Sequence, residues 1–475
     1  MPLIKSISGL RGTLGEEPGE NLTLADVKKF TCAFLKLLEE KAWGNKIVVG
    51  RDSRPSGLKF RDIILETAAA AGFDGLDLGL AATPTVEMAV RGEKAAGGVI
   101  ISASHNPAEW NALKLLNNEG EFLSEEDGQR LLVLAESQET ALVERNGIRS
   151  GRISAAKDYG RKHIAAVLKA PLVKTEAIKK AGFKVVVDGI NSVGGVVIPE
   201  LLLALGVPAE NIIRLNCAPT GDFAHNPEPL EKNLIALAEM VRSEKADFGL
   251  AVDPDVDRLA FIDETGAMFG EEYTLVAAAD YVLKNFALVD AFYPGRFALA
   301  AASNLSSSRA LKDVCSKRGA AYSSAAVGEV NVVKEMKKTQ AVIGGEGNGG
   351  VIYPPLHYGR DALIGTALFL SALAEAGEKL SLFKKNFPAY FMVKDKLALT
   401  PGLDLAALLD TLANDYRQAQ LTRRDGLKID WPDAWLHVRG SNTEPIVRLY
   451  AEAANPEEAR EKIEAVKAKI LSYIS

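Results

Sequence analysis

The sequence predicts an α/β protein built from three similar mixed-sheet α/β units and a smaller C-terminal α+β unit. Three observations lead there. Short apolar runs alternate with helical stretches along residues 1–150, the same alternation recurs twice further on, and the final stretch abandons it. At 475 residues the chain has room for about three or four domains of ~100–200 residues each.

In the first unit Lys46–Gly50, Leu76–Gly79 and Gly98–Ala103 read as strands, with Leu58–Ala71 as a helix between the first two. This βαβ rhythm calls for a parallel or mixed sheet covered by helices. In the second, the strands Phe183–Asp188, Ile212–Leu215 and Asp247–Val252 alternate with helices near Ile198–Leu205 and Leu230–Ser243. In the third, Leu259–Asp263, Arg296–Ala302 and Ala341–Gly344 alternate with helices near Tyr273–Lys284 and Ser307–Arg318. The last unit pairs strands Trp435–Val438 and Ile446–Ala453 with an amphipathic helix, Pro456–Ile474, that has proline in its first turn. Boundaries near residues 153, 254 and 375 give units 1–153, 154–254, 255–375 and 376–475.

Composition narrows the function. The chain is 47% hydrophobic and 25% charged, as globular proteins are. A net charge of −6 and a pI near 5.7 oppose a nucleic-acid partner, which needs a basic face. No apolar run approaches the ~18–20 residues of a membrane span, so no membrane partner is expected. Residues Met1–Gly12 lack the sustained apolar core of a secretory signal. Cys32, Cys217 and Cys315 lie far apart, without a paired motif, and read as buried apolar residues of a reducing compartment. The expected location is the cytoplasm.

Four loops carry chemistry. The first, Ser102–Pro107, follows an apolar strand, and in open α/β sheets ligands bind beyond the carboxyl ends of strands. Ser104 there is a candidate nucleophile or phosphate carrier, and His105 a donor to a phosphate oxygen. Lys114, ten residues on, is a candidate proton shuttle or charge partner. Read alone, this loop is more simply a polar turn closed by Asn106-Pro107.

The second loop, Asp253-Pro254-Asp255-Val256-Asp257-Arg258, also follows a strand. Carboxylates at alternate positions of an extended loop converge on one hard cation, for which magnesium is the natural choice. An EF-hand is excluded, because Arg258 stands where its sharp turn needs glycine and Leu259–Ile262 is an apolar strand. A solvated acidic turn remains the plain alternative.

The third, Gly345-Glu346-Gly347-Asn348-Gly349-Gly350, matches the dinucleotide fingerprint literally. That fingerprint needs a helix next, and Pro354-Pro355 cannot begin it, so an oxidoreductase is excluded. The loop reads as one presenting Glu346 and Asn348 to a polyol such as a sugar, or as a glycine-rich hairpin. The fourth, Arg439-Gly440-Ser441-Asn442-Thr443-Glu444-Pro445, joins the two C-terminal strands. Arg439 offers a planar fork, and Ser441, Asn442 and Thr443 add short donors, a composition suited to a phosphate. An Asx-type turn is the alternative.

In this order and spacing the loops resemble the α-D-phosphohexomutase family. The resemblance covers the whole chain and includes Ser8-Gly9-Leu10-Arg11-Gly12 and Gly50-Arg51-Asp52-Ser53-Arg54. It implies four domains around one central cleft, with Ser104 as the phosphoserine. It implies that Asp253, Asp255 and Asp257 hold Mg2+ against the Ser104 phosphate, itself a further ligand, and that Lys114 and Arg11 flank the transfer. Glu346 and Asn348 would grip the sugar hydroxyls, while Arg439, Ser441, Asn442 and Thr443 would hold the distant phosphate. The implied reaction interconverts hexose 6-phosphate and 1-phosphate through a hexose 1,6-bisphosphate, with glucosamine phosphate as the first choice. Mannose or glucose phosphates are the alternative, as is a silent sugar-phosphate-binding protein. This chain departs from many relatives at Gly350, where they end the sugar loop in histidine, and at Glu329, where they carry a histidine or basic residue.

Overall fold

The computed structural model describes residues 3–6, 9–137, 150–156, 158–398, 404–441 and 446–474. Among the described residues, twenty strands form four sheets. The first holds β1 (Ile4–Ser6), β2 (Gly9–Thr13), β3 (Lys46–Arg51), β4 (Asp74–Leu80), β5 (Gly97–Ile101), β6 (Trp110–Leu116) and β7 (Ile153–Ala155). The second holds β8 (Val185–Asp188), β9 (Ile212–Leu215), β10 (Phe248–Val252) and β11 (Leu259–Asp263). The third holds β12 (Ala298–Asn304), β13 (Ala321–Ala325), β14 (Ala341–Glu346) and β15 (Gly350–Ile352). The fourth holds β16 (Phe391–Ala398), β17 (Gln420–Thr422), β18 (Leu427–Asp430), β19 (Trp435–Gly440) and β20 (Ile446–Ala453).

The first three sheets share one topology. Each contains the spatial order second–first–third–fourth: β4-β3-β5-β6, β9-β8-β10-β11 and β13-β12-β14-β15. Within each, three strands run parallel and the fourth returns antiparallel to the third. The C-terminal sheet, order β16-β20-β19-β18-β17, is wholly antiparallel, with the helix Pro456–Ile474 packed on β16 and β20. Three mixed-sheet α/β units and one α+β unit are therefore present.

One strand lies elsewhere than the sequence reading had it. Leu259–Asp263, assigned to the third unit, pairs antiparallel with Phe248–Val252 and closes the second sheet. Residue 254 thus falls inside a strand–loop–strand pair. The strand was read correctly, but which neighbour it joins depends on pairing, and local periodicity carries no such signal. Trp110–Leu116, read as no element, is a strand buried along its whole length. Burial on both faces erases the alternation that would betray it.

Packing ties the units together. One apolar cluster runs from Ala82 through Val187, Phe248, Phe261 and Phe369 to Phe387, so the second and third units share a core. The first unit and the C-terminal unit keep cores of their own. Among the described residues, no helix is long and apolar enough to cross a membrane.

Candidate active site

The repeated topology sets the site. The Ser104 turn joins β5 to β6, the Asp253–Arg258 loop joins β10 to β11, and the Gly347–Gly349 turn joins β14 to β15. Each is the same connection, third strand to fourth, in its own sheet.

Ser104 is buried, with a φ of 49°, in the left-handed region that serine seldom enters. Arg54, fully buried, holds this turn by donating from Nη2 to the carbonyl oxygens of Ser104, at 2.8 Å, and Asn106. Asp52 pairs with Arg54 and accepts from Ser102 Oγ at 2.7 Å, and Ser102 Oγ accepts the Ser104 N–H at 2.9 Å. Burial pushes the Asp52 carboxyl up in pKa even so. Strain held by surrounding bonds is characteristic of functional turns. Asp52 and Arg54 were legible only as part of the resemblance. An acid–base pair directly after an apolar strand was the available signal.

His105 Nδ1 lies 3.4 Å from Ser104 Oγ. Burial, with Arg258, Arg11 and Arg360 nearby, holds its pKa well below the ordinary histidine value, so the imidazole is neutral. Arg11, on β2 beside β6, donates from Nη1 to Asn106 Oδ1 at 2.8 Å.

The three aspartates are completely buried, which overturns the solvated-turn alternative. Asp253 Oδ2 accepts from Ser104 Oγ at 2.6 Å, and its Oδ1 takes the N–H groups of Asp257 and Arg258, each at 3.1 Å. Asp255 Oδ2 accepts from Thr83 Oγ1 and from Lys114 Nζ, both at 2.6 Å. Asp257 Oδ2 accepts from Arg360 Nη2 at 2.7 Å and from Lys114 Nζ at 3.5 Å. Val256, between them, has a φ of 62°, a strained value for a β-branched residue.

These residues fit a hard divalent cation. One oxygen from each aspartate lies within 4.8 Å of the others, and Asp255 Oδ1 and Asp257 Oδ1 are buried without a hydrogen-bond partner. Buried carboxylate oxygens left bare are costly unless something positive fills the gap. Burial and repulsion from Asp257 and Asp255 drive the Asp253 pKa well up. Burial would raise Asp255 too, but Lys114 and Thr83 outweigh it and hold that carboxyl below the usual range. Burial disfavours the Lys114 ammonium, yet Asp255 and Asp257 prevail and raise its pKa.

From Asp257 a chain of polar contacts runs across the molecule. Arg360 Nη1 donates to Glu346 Oε2 at 2.8 Å, and Glu346 Oε1 accepts from Asn304 Nδ2 at 2.8 Å and the Gly328 N–H at 3.0 Å. Asn304 Oδ1 takes the Ser306 N–H at 2.9 Å, and Ser306 Oγ meets His437 Nδ1 of the C-terminal unit at 2.8 Å. Glu346 is therefore buried and committed to three donors, where sequence reading had it presented on a flexible loop. The loop is a short β-hairpin, β14 to β15, with Asn348 Oδ1 accepting the Gly350 N–H at 3.1 Å. Thr83, Asn304 and Arg360 were missed. Nothing local marks them, although Arg360-Asp361 stands just before the largely apolar helix Ala362–Ala376.

In the C-terminal unit Arg439, on β19, lies directly opposite Arg448 on β20, another residue missed from sequence. The Arg439 Nε is buried without a hydrogen-bond partner, and Arg448 Nη2 reaches Ser441 Oγ at 3.5 Å. Two guanidiniums directly opposite on a sheet concentrate positive charge suited to an anion. Asn442 and Thr443 lie outside the described residues.

A strained serine against a buried acidic triad, in three repeats of one α/β topology, is an arrangement suited to phosphoryl transfer. Comparison with known proteins specifies it. Models of the four phosphoglucomutase/phosphomannomutase domains match residues 4–141, 161–266, 270–390 and, for the C-terminal domain, 393–469. A phosphoglucomutase/phosphomannomutase of Thermococcus kodakarensis is 35% identical over 96% of both chains. A probable phosphoglucosamine mutase of Methanopyrus kandleri is 30% identical over 96% of this chain and 94% of its own. The crystal structure of a phosphoglucomutase/phosphomannomutase family protein from Burkholderia thailandensis superposes with a TM-score of 0.82 at 24% identity, covering 99% of this chain and 97% of the other. Aspergillus fumigatus N-acetylphosphoglucosamine mutase, solved with GlcNAc-6P and magnesium, superposes at a TM-score of 0.59 and 15% identity over 99% and 96% of the chains. The chain belongs to the α-D-phosphohexomutase family. It is a hexose-phosphate mutase, an isomerase.

Proposed function

We propose that the enzyme interconverts glucosamine 6-phosphate and glucosamine 1-phosphate through phosphoserine 104 and a hexose 1,6-bisphosphate. The observation that carries this reading is the 2.6 Å contact between Ser104 Oγ and Asp253 inside the buried triad. Asp253, Asp255 and Asp257, with an oxygen of the Ser104 phosphate, would hold Mg2+. A magnesium ion bound there draws negative charge off the phosphoryl oxygens.

The chain's own residues do the rest. As the sugar hydroxyl oxygen bonds to phosphorus, the bond from phosphorus to Ser104 Oγ breaks, and the hydroxyl proton ends on Ser104 Oγ. Neutral His105, 3.4 Å from that oxygen, is the group suited to pass the proton, while cationic Lys114 and Arg11 offset phosphoryl charge. The bisphosphate then turns end for end and returns its other phosphoryl group to Ser104. Arg439 and Ser441, with Asn442 and Thr443 of the same loop, anchor whichever phosphate is not reacting.

In this reading the sugar meets Asn348 and whatever acceptor capacity buried Glu346 has left beyond its three protein donors. A carboxylate accepts about four hydrogen bonds, and three are used at Glu346, so the remaining position suits a protonated 2-amino group. The name of the Methanopyrus relative supports the same sugar. The deciding test is kcat/KM for glucosamine, glucose and mannose phosphates side by side, with a bisphosphate activator. The glucosamine value should be the highest. If either other sugar exceeds it, the enzyme serves glucose or mannose phosphate, as the name of the Thermococcus relative would suggest.

A further inference from the structure

We infer that Arg360 is a positioning residue for the phosphoryl transfer, one guanidinium that sets Asp257 of the metal loop and Glu346 of the sugar loop in a fixed relation. The inference deepens the mutase reading and rests on it. Each of the three guanidinium nitrogens donates to a carboxylate. Nη2 donates to Asp257 Oδ2 at 2.7 Å, Nη1 to Glu346 Oε2 at 2.8 Å, and Nε to Glu329 Oε2 at 3.0 Å. The backbone N–H of Arg360 reaches the other Glu329 oxygen at 3.1 Å, so Glu329 clamps the residue at both ends. A lysine keeps the charge but lacks the planar fork that three acceptors require.

Two features show that the neighbourhood is built around this side chain. A Cβ at residue 350 would stand 2.3 Å from Arg360 Cδ, so the side chain passes there only because Gly350 has none. From behind, Asp361 caps the helix Ala362–Ala376, its Oδ1 accepting the N–H groups of Leu363 at 2.8 Å and Ile364 at 3.3 Å. Asp361 Oδ2 meets His163 Nε2 at 2.9 Å and His357 Nε2 at 3.1 Å. Arg360 therefore projects from a fixed backbone. By engaging Asp257 Oδ2 it leaves Oδ1, which is buried without a hydrogen-bond partner and has Arg258 Nε 4.0 Å away, as the oxygen available to a cation. Groups that orient a metal ligand in this way are worth about 10–100-fold in metal affinity or activity.

The test is a titration of the purified full-length protein with Mn2+, read by electron paramagnetic resonance, for wild type, Arg360→Lys and Gly350→Ala. The second variant changes no charge and acts chiefly by displacing the Arg360 side chain; its other near neighbour is Asn348 Oδ1 at 3.0 Å, which bears on KM and not on Mn2+ binding. Both should weaken Mn2+ binding by about 10–100-fold, and both should lower kcat while raising KM for the sugar phosphate. A role confined to stability would shift the melting temperature alone, and wild-type Mn2+ affinity with wild-type kcat in both folded variants would overturn the inference. Should wild type turn over no hexose phosphate, the mutase reading fails, and the Mn2+ arm still decides whether Arg360 sets Asp257.

Discussion

The Ser104 hydroxyl donates to Asp253 at 2.6 Å, although 149 residues of chain separate the two. The contact exists because each residue occupies the same connection, third strand to fourth, in a different sheet. It brings the residue read as a phosphate carrier against the first carboxylate of the acidic loop.

If Ser104 carries phosphate, intact mass should show a species about 80 Da heavier than the chain, as a phosphoryl adduct requires. Peptide mapping should assign it to the segment with Ser104. Ser104→Ala should lose both the adduct and turnover while folding normally. A fully active alanine variant would end the phosphoserine reading.

Chelator should abolish turnover, and magnesium should restore it. Asp255→Asn should weaken the response to magnesium. Because Asp255 is buried and bonded to Lys114 and Thr83, the variant should also melt earlier, by roughly 1–3 kcal/mol of stability. A melting curve in chelator separates the two effects. Turnover that ignores metal removal would make the triad purely structural.

Arg439→Ala should raise KM for the sugar phosphate on the order of 10–100-fold, since a charge-assisted bond to a dianion is worth roughly 1.5–3 kcal/mol. Arg448→Ala should act in the same direction, because the two guanidiniums face each other across β19 and β20. Both ends of the substrate use the anchor in turn, so kcat should fall as well. An unchanged KM in both variants would put the anchor elsewhere.

His357 makes stability depend on pH. Burial lowers its pKa, but Asp361 and Glu87 outweigh this and raise it to about 9. His163 is the other titratable group against it. The folded value exceeds the unfolded one of ~6.5, so the stabilisation is complete below the unfolded value and is lost as pH rises through about 9. Its upper bound is about 3 kcal/mol. The melting-temperature gap between wild type and His357→Gln should therefore narrow from pH ~6 to pH ~9.5. A gap that stays constant would mean that His357 is neutral throughout.

Much of this protein was legible in its sequence. Strand ends followed by Ser104, by Asp253–Arg258 and by Arg439–Ser441 are local features, written in apolar runs that stop at polar loops. Periodicity likewise revealed the repeated α/β rhythm, and Pro354-Pro355 excluded a dinucleotide site. The tertiary structure decided what pairing and burial decide. It joined Leu259–Asp263 to the second sheet, buried an acidic loop for which a solvated turn was the plain alternative, and gave three loops equivalent positions. It also accounts for the two departures from the family pattern: Gly350 makes room for Arg360, and Glu329 clamps it. The reason is physical. An ion pair such as Arg360 with Asp257 spans 103 residues, and its energy comes from exclusion of water by groups remote in sequence, which no local pattern of residues encodes.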